Sequence, residues 1–348
     1  MRSRKYNKGK SRRLKNAQRK HAIKARRKRE ITAKRNYIKN AAKKRKNSRL
    51  RSTAKYKRHT IIIPTDFSLI TNKEKVLQFY NDCKRLNYEK EKYTHVLFDF
   101  TDVINISHGA IAILLSIIGW FQDQNMKAIG TYPKDLYAKG IFEESGFLEY
   151  CKGKVTKKCS DNVILQRGHE HTDSNLTAIY IRKAMKTVWG EAYRNQKMQG
   201  MLIEMMANTI NHAYKRHQKG WYFAVQHIPE EKKVKFSFVD NGRGILKTIK
   251  TRFKDKLTKV LGFTDDTKIL SEAFEGKFGS RTKLTYRGRG LPVMKKNFEQ
   301  GVIKNLKVIS NNVFIDFETK DAQILKEYFE GTYYYWELDT TCKLWPLK

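Results

Sequence analysis

The sequence predicts an α/β (α+β) protein in which two folded domains follow a basic arm. Strand and helix patterns alternate over residues 59–155, and helices and hairpins follow over residues 174–319. Such alternation predicts sheets covered by helices, and 348 residues leave room for two domains. Polar residues 156–173 are predicted to be a linker, and residues 320–348 a C-terminal tail.

The N-terminal arm, residues 1–58, carries most of the charge of the chain. Residues 1–60 hold 27 Lys or Arg and one acid, Glu30, while the whole chain has a net charge of +39. Few apolar residues accompany this charge, so we expect a segment that is disordered alone. Many cations with almost no aromatic groups favour non-specific, salt-sensitive binding to nucleic acid or another polyanion. A solubilising tail and a targeting signal are the alternatives.

Cysteine usage and hydropathy indicate a cytoplasmic protein. The four cysteines form no CxxC pair, which argues against a disulfide framework and a zinc site and favours a reducing compartment. No run of about 18 uncharged apolar residues occurs, so we expect no membrane span. The longest apolar stretch, residues 110–121, is short and fits a buried helix.

In the first domain, strands and helices should alternate. The continuous apolar run at residues 96–100 is typical of a buried parallel strand. The predicted strands are residues 60–64, 96–100 and 128–132, and the predicted helices are residues 73–86, 108–124 and 133–144.

The second domain should consist of helices and hairpins. Its helices are predicted at residues 175–193, 197–217 and 291–300, and its hairpins at residues 221–227 with 234–239 and 302–309 with 313–318. Residues 246–287 are charged and weakly periodic. The aromatic cluster at residues 333–336 fits either core or a partner surface, and we favour core.

Three patterns in the second domain combine polar groups with glycine. Glu204, Asn208 and His212 are spaced by four and share one helix face. The first glycine motif, residues 240–244, reads Asp-Asn-Gly-Arg-Gly at a strand end, where glycine lets the backbone approach a ligand. The second, residues 288–291, reads Gly-Arg-Gly-Leu before a helix whose first turn holds Pro292, and helix N-termini bind phosphate. Each pattern alone also fits a solvated face or an ordinary turn.

Together, the three patterns resemble the GHKL ATPases: gyrase, heat-shock chaperone, histidine kinase and MutL. The resemblance covers about residues 174–319 and implies a GHKL α/β sandwich that binds ATP and Mg²⁺ between Glu204 and Pro292. By that resemblance, Asp240 accepts a hydrogen bond from the adenine amino group, Asn208 ligates Mg²⁺, and residues 246–287 form a mobile lid. The implied nucleotide-binding residues are Asn208, His212, Asp240, Gly242, Gly244, Gly288, Arg289, Gly290 and Leu291.

Glu204 is the position that narrows the activity. Typical histidine kinases of this family have Asn there, whereas members that hydrolyse ATP or phosphorylate serine have Glu. A carboxylate can activate a water or a hydroxyl group, so Glu204 is the candidate catalytic residue. The pattern is most similar to the anti-sigma-factor serine kinases, which implies an ATPase or a serine/threonine kinase switch.

The first domain resembles a STAS domain, the anti-sigma-antagonist fold. The resemblance lies in residues 96–103 and in Ile106-Ser107-His108-Gly109 before the apolar helix. Ser107 matches the phosphoacceptor serine of that family, but Ile106 replaces the Asp that precedes it. Ser107 is therefore a candidate phosphoacceptor or simply a helix cap. The resemblance implies a regulatory domain that binds a protein partner.

A second hypothesis belongs to another functional class. In it the protein is a nucleic-acid-binding adaptor that uses residues 1–58, and its nucleotide pocket is a passive ATP sensor. The sequence leaves open whether ATP is hydrolysed or transferred, whether the nucleic acid is DNA or RNA, and whether the chain forms a homodimer.

Overall fold

The computed structural model describes Thr32 and residues 58–88, 93–151, 159–169, 171–212, 220–253, 265–278 and 290–344. Residues 57–348 form one compact unit. Apart from Thr32 and Arg58, the predicted arm lies outside the described residues. In the part of the chain that is described, no helix is long and apolar enough to cross a membrane.

The fold is mixed α/β, with parallel and antiparallel sheets. The strands are β1 (Arg58–Ile62), β2 (Asp66–Phe67), β3 (His95–Asp99), β4 (Asn105–Ile106), β5 (Lys127–Gly130), β6 (Val163–His169), β7 (Gly220–Ile228), β8 (Lys233–Asp240), β9 (Lys304–Asp316) and β10 (Asp321–Leu338). The helices are α1 (Lys73–Tyr88), α2 (His108–Asp123), α3 (Leu136–Glu144), α4 (Ser174–Trp189), α5 (Gln196–His212), α6 (Ile245–Arg252), α7 (Asp266–Phe274) and α8 (Gly290–Glu299).

We call residues 58–144 the first layers. They contain a three-stranded parallel sheet in the order β1-β3-β5. The prediction of a parallel strand near residues 96–100 is confirmed. The strand is buried on one face only. Val96 and Phe98 are buried, whereas the alternate side chains, such as Leu97, are partly exposed. The covered face packs on α1 and α2, and on the other face Ile62 is 74% exposed.

A five-stranded antiparallel sheet forms the centre of the unit, in the order β6-β7-β8-β10-β9. Its side chains alternate between two cores, as strand geometry requires. Tyr222 and Tyr333 pack with α1 and α2 on one face, which we call the α2 face. Phe223 and Phe238 pack with α4, α5, α7 and α8 on the other, which we call the α5 face. Helix α2 is enclosed between the two sheets, and 12 of its 16 residues are buried.

The predicted linker, residues 156–173, contains a strand. Residues 163–169 form β6, which pairs along its whole length with β7 at the edge of the central sheet. The polar residues around Val163, Ile164 and Leu165 hid this short apolar run. An edge strand has one side of its backbone open, so polar side chains are tolerated there.

The prediction of a tail at residues 320–348 is wrong over most of its length. Residues 321–338 form β10, which pairs with both β8 and β9. The predicted hairpin of residues 302–309 with 313–318 is a single strand, β9, and its Asn311 has a φ of 57°. Asparagine tolerates the left-handed backbone conformation, and Asn311 adopts it in a bulged strand rather than in a turn. The aromatic cluster at residues 333–336 is confirmed as core.

The predicted lid, residues 246–287, includes two helices that are packed into the core. Leu246 and Ile249 of α6 and Leu270 and Phe274 of α7 are buried beneath the α5 face. Moving this whole segment as one lid would expose their apolar surface to water. Residues 254–264 and 279–287 of the predicted lid lie outside the described residues.

Candidate functional site

Helix α5 carries Glu204 and Asn208 one turn apart. Leu202, Met205 and Met206 of the same helix are fully buried in the core, which fixes the rotation of the helix. Glu204 and Asn208 are therefore held in a partly buried position. Burial raises the pKa of the Glu204 carboxyl above its usual value. His212 ends α5, and its side chain lies outside the described residues.

The first residue of α8, Gly290, lies directly against these two side chains. A Cβ at Gly290 would be 2.8 Å from Asn208 Nδ2 and 3.3 Å from Glu204 Oε2. Only glycine leaves space for the two polar groups at this point. The structure thus brings Gly290 of the second glycine motif against Glu204 and Asn208 of α5.

The structure describes only Gly290 and Leu291 of the second glycine motif. Gly288 and Arg289 lie outside the described residues. Leu291 packs partly buried against the core of the α5 face, so its described contact is an apolar one. Pro292 lies in the first turn of α8, next to Gly276 of the segment that follows α7.

Asp240 lies at the end of β8 and is 8% exposed. Strand alternation places it on the side of Phe236 and Phe238, which is the α5 face. Burial raises the pKa of Asp240 to about 6, although hydrogen bonds from Gly242 and Thr332 partly oppose the rise. The backbone N–H of Gly242 donates to Asp240 Oδ1 at 2.8 Å.

The turn after Asp240 is shaped by Gly244 and held by β9. Gly244 has a φ of 79°, and a Cβ there would be 2.5 Å from both polar side-chain atoms of Asn311. The Ile245 N–H donates to Ser310 Oγ at 2.8 Å and the Lys247 N–H to Asn311 Oδ1 at 2.9 Å. Two side chains of β9 therefore fix the N-terminus of α6.

The start of β7 and the end of β8 lie side by side at one end of the sheet. Helix α5 ends at His212, and β7 begins at Gly220, whose carbonyl accepts a hydrogen bond from the Asn241 N–H at 3.5 Å. Glu204 and Asn208 beside Gly290, and Asp240 at the end of β8, all belong to the α5 face of the sheet. The side-chain Oδ1 of Asn241 is buried without a hydrogen-bond partner.

This set of groups fits a nucleotide with its metal ion. A buried carboxyl acceptor suits a base amino group, an amide oxygen suits Mg²⁺, and glycine backbone suits close approach of phosphates. Over the described ranges, no cluster of three or more His, Cys, Asp or Glu side chains is arranged to hold a metal ion. The fit therefore depends on Asn208 acting with ligand oxygens rather than on a site made of protein carboxylates.

Sequence reasoning missed Thr332, Ser310 and Asn311. Thr332 pairs with Asp240 across the sheet and hydrogen-bonds its carboxyl group. A Cβ at the preceding Gly331 would be 2.1 Å from the Asp240 carbonyl oxygen. The only local signal was Gly-Thr before an aromatic strand, and that signal has no meaning until the pairing of β10 with β8 is known.

Ser107 caps α2 on the other side of the central sheet. Its Oγ accepts a hydrogen bond from the Ala110 N–H at 3.2 Å. The neighbouring Gly109 packs against Ser237 and Tyr333, which belong to the α2 face. The capping interpretation is thus supported by a direct contact, while phosphorylation of Ser107 stays a prediction.

Compared with known proteins, the chain matches no family model and no curated protein sequence.

Proposed function

We propose that the protein binds Mg-ATP on the α5 face, between Glu204 and Pro292, as a GHKL-type ATPase or serine/threonine kinase switch. The observation that carries this proposal is the approach of Gly290 to Glu204 and Asn208, in helices that pack on the same face of the sheet as Asp240. Two of the three sequence patterns are thus in direct contact, and the third lies on the same face of the sheet.

Asp240 is the group that would recognise the base. Its carboxylate is buried and already accepts the Gly242 N–H, so it is fixed in direction. An ionised carboxylate in such surroundings forms a strong hydrogen bond with an amino group. Thr332 and Gly242 hold the carboxylate in place when the nucleotide is absent.

Glu204 would act as the general base. Burial raises its pKa, and a carboxylate with a raised pKa accepts a proton more readily. Its position beside Gly290 places it where the phosphates would approach the N-terminus of α8. A water or a substrate hydroxyl bound there would lose its proton to Glu204 as it attacks phosphorus.

Asn208 would hold Mg²⁺ through its side-chain oxygen, with phosphate oxygens and water completing the shell. Bound Mg²⁺ neutralises the charge that develops on the transferred phosphoryl group. The single protein ligand is consistent with the habit of Mg²⁺ to keep several waters.

We propose that the first layers are a STAS-like regulatory domain. Support comes from the parallel sheet, from the apolar helix α2 after Ser107, and from the packing of α2 on the central sheet. The central sheet separates Ser107 from Glu204 and Asp240. A phosphate from this site therefore cannot reach Ser107 of the same folded molecule, and a transfer to Ser107 would need a second molecule.

Phosphoryl transfer by the full chain tests the proposed activity. With γ-³²P-labelled ATP and Mg²⁺, we expect release of labelled phosphate or transfer of the label to protein, and loss of both in excess EDTA. Saturable ATP binding without release or transfer would leave only a passive sensor and would overturn the enzymatic proposal.

Nucleic-acid binding through residues 1–58 is the second candidate function, because this segment carries 26 of the 39 net positive charges. We expect the logarithm of the association constant for RNA or DNA to fall linearly with the logarithm of salt concentration. Residues 57–348 form their own compact unit, so deleting residues 1–56 is the direct test. If the truncated chain binds with unchanged affinity, the arm is not the binding element.

A further inference from the structure

Strand β10 is interrupted by an outward bulge at residues 325–331, beside the candidate site. Ile324 pairs with Val313, but the next pairs are Phe329 with Asn311 and Thr332 with Ser310. Six residues of β10, 325–328 and 330–331, therefore lie between these pairs opposite a single residue of β9, Asn312. We call residues 325–331 the β10 bulge. Bulges often re-aim a strand next to a functional site.

One side of the β10 bulge is bound to helix α1 of the first layers. Glu74 accepts hydrogen bonds from the backbone N–H groups of Lys326 at 3.1 Å and Glu327 at 3.4 Å. The Tyr80 hydroxyl donates to the Glu330 carbonyl oxygen at 3.0 Å. The other side-chain contacts of α1 with the bulge are Asn81 with Glu327 and the ion pair of Lys84 with Glu330.

The other side of the β10 bulge is bound to the first glycine motif through Asn311. Asn311 is 1% exposed, and its Nδ2 donates to the carbonyl oxygens of Arg243 at 2.9 Å and Phe329 at 3.3 Å. Its Oδ1 accepts the Lys247 N–H. One side chain therefore joins the bulge, the turn after Asp240 and the first turn of α6.

We propose that helix α1 positions the nucleotide-binding turn, residues 240–247, through the β10 bulge, with Asn311 as the positioning residue between them. The inference rests on the proposed function and deepens it, because it names how the first layers regulate the same site. A partner that displaces α1 would weaken the hydrogen bonds of Asn311 and therefore weaken nucleotide binding. The coupling is carried by hydrogen bonds of defined geometry, and the bond from Asn311 to Phe329 is buried, where the loss of a partner is costly.

Amide hydrogen exchange of the full chain tests this coupling without any nucleotide. The reporters are the N–H groups of Gly242, Ile245 and Lys247, which are bonded to Asp240, Ser310 and Asn311. In Glu74→Ala we expect exchange at these three amides to rise about fivefold, the scale of losing one or two hydrogen bonds. The amide of Phe236, in the middle of β8, should keep its wild-type rate relative to global unfolding.

Three further variants separate positioning from general damage to the fold. Glu74→Gln keeps an acceptor and should restore most of the wild-type protection. Tyr80→Phe keeps the buried ring and removes only the hydroxyl group, so it should act like Glu74→Ala even if the latter folds poorly. Asp82→Asn is the matched control, because Asp82 lies on α1 and pairs with Arg85 of the same helix.

Equal rises at Phe236 and at the three turn amides would mean only global destabilisation and would overturn the proposal. Unchanged turn amides in both Glu74→Ala and Tyr80→Phe would also overturn it. Nucleotide titration of Glu74→Ala and Tyr80→Phe should show about fivefold weaker binding, and Asp82→Asn should bind like the wild type. If the wild type binds no nucleotide, the proposed function fails, whereas the exchange data still decide whether α1 positions the turn.

Discussion

Helices cover both faces of the central sheet, but the two faces differ in the polar side chains that they carry. On the α2 face, Tyr333 and Ser237 meet Gly109, and the contacts are apolar or between hydroxyl groups. On the α5 face, the strand end offers the carboxyl group of Asp240, and α5 and α8 bring Glu204 and Asn208 beside Gly290. The α2 face is a packing interface within the fold. The α5 face holds polar side chains, two of which lie beside the glycine backbone at Gly290.

The difference shows how one sheet serves both packing and ligand binding. Strand alternation sends Val239 into the α2 face and its neighbour Asp240 into the α5 face. A change on the α5 face should therefore affect ATP, whereas a change on the α2 face should affect stability and regulation. The following predictions test that division, beginning with the largest expected effect.

Replacing Glu204 with Gln should remove the general base and leave the shape of the site intact. We expect ATP turnover to fall by about 10²-fold or more while ATP affinity changes little. The measurement is steady-state phosphate release together with equilibrium binding. Glu191→Gln is the control, because Glu191 is an exposed carboxylate after α4. Full turnover in Glu204→Gln would show that another group activates the nucleophile.

The buried carboxyl of Asp240 should make stability depend on pH. Its pKa of about 6 in the folded state lies above the ordinary value of 3.8, so the folded state holds the proton more tightly than the unfolded state. The contribution of this group to stability should therefore be greatest below about pH 4 and fall by roughly 2–3 kcal/mol as the pH rises through 6. Urea unfolding from pH 4 to pH 7 measures this, and the difference curve against Asp240→Asn isolates the group.

Replacing Gly290 with Ala should crowd Asn208 and Glu204. The new Cβ would be 2.8 Å from Asn208 Nδ2, so that side chain must move, at a cost of about 1–2 kcal/mol. Thermal unfolding and nucleotide binding should both be impaired. Gly200→Ala on α5 is the matched control, since a Cβ there meets no atom within 4 Å and should stabilise the helix. Equal behaviour of the two variants would contradict the close contact.

Replacing Ser107 with Ala tests the α2 face. The loss of the N-cap contact with Ala110 should cost about 1 kcal/mol of unfolding free energy. ATP affinity should stay within twofold of wild type, because the central sheet lies between this residue and Asp240. A large loss of ATP binding with little change in stability would mean that the two faces are not divided in this way.

The sequence was sufficient to predict groups that are close together along the chain. Asp240 and Gly242 form a local turn whose hydrogen bond follows from their spacing. Glu204 and Asn208 follow from helix periodicity. Even the contact of Gly290 with them was expected, but only through the resemblance to a family.

The sequence did not predict groups that act across strands. Thr332 and Asn311 reach the first glycine motif because β10 and β9 pair into the central sheet, and such register is set by tertiary packing. The close approach of Gly331 to the Asp240 carbonyl depends on the same pairing and has no signal in the local sequence. The helices α6 and α7 were missed because charged residues mask their apolar faces.

Equilibrium titration of the full chain with a non-hydrolysable ATP analogue and Mg²⁺ tests the central claim most directly. We expect saturable binding at one site per chain, weakened about 10- to 100-fold in Asp240→Asn, the scale of losing a hydrogen bond to a charged group. No measurable binding by the wild type, or equal affinity of wild type and Asp240→Asn, would contradict a nucleotide site on the α5 face.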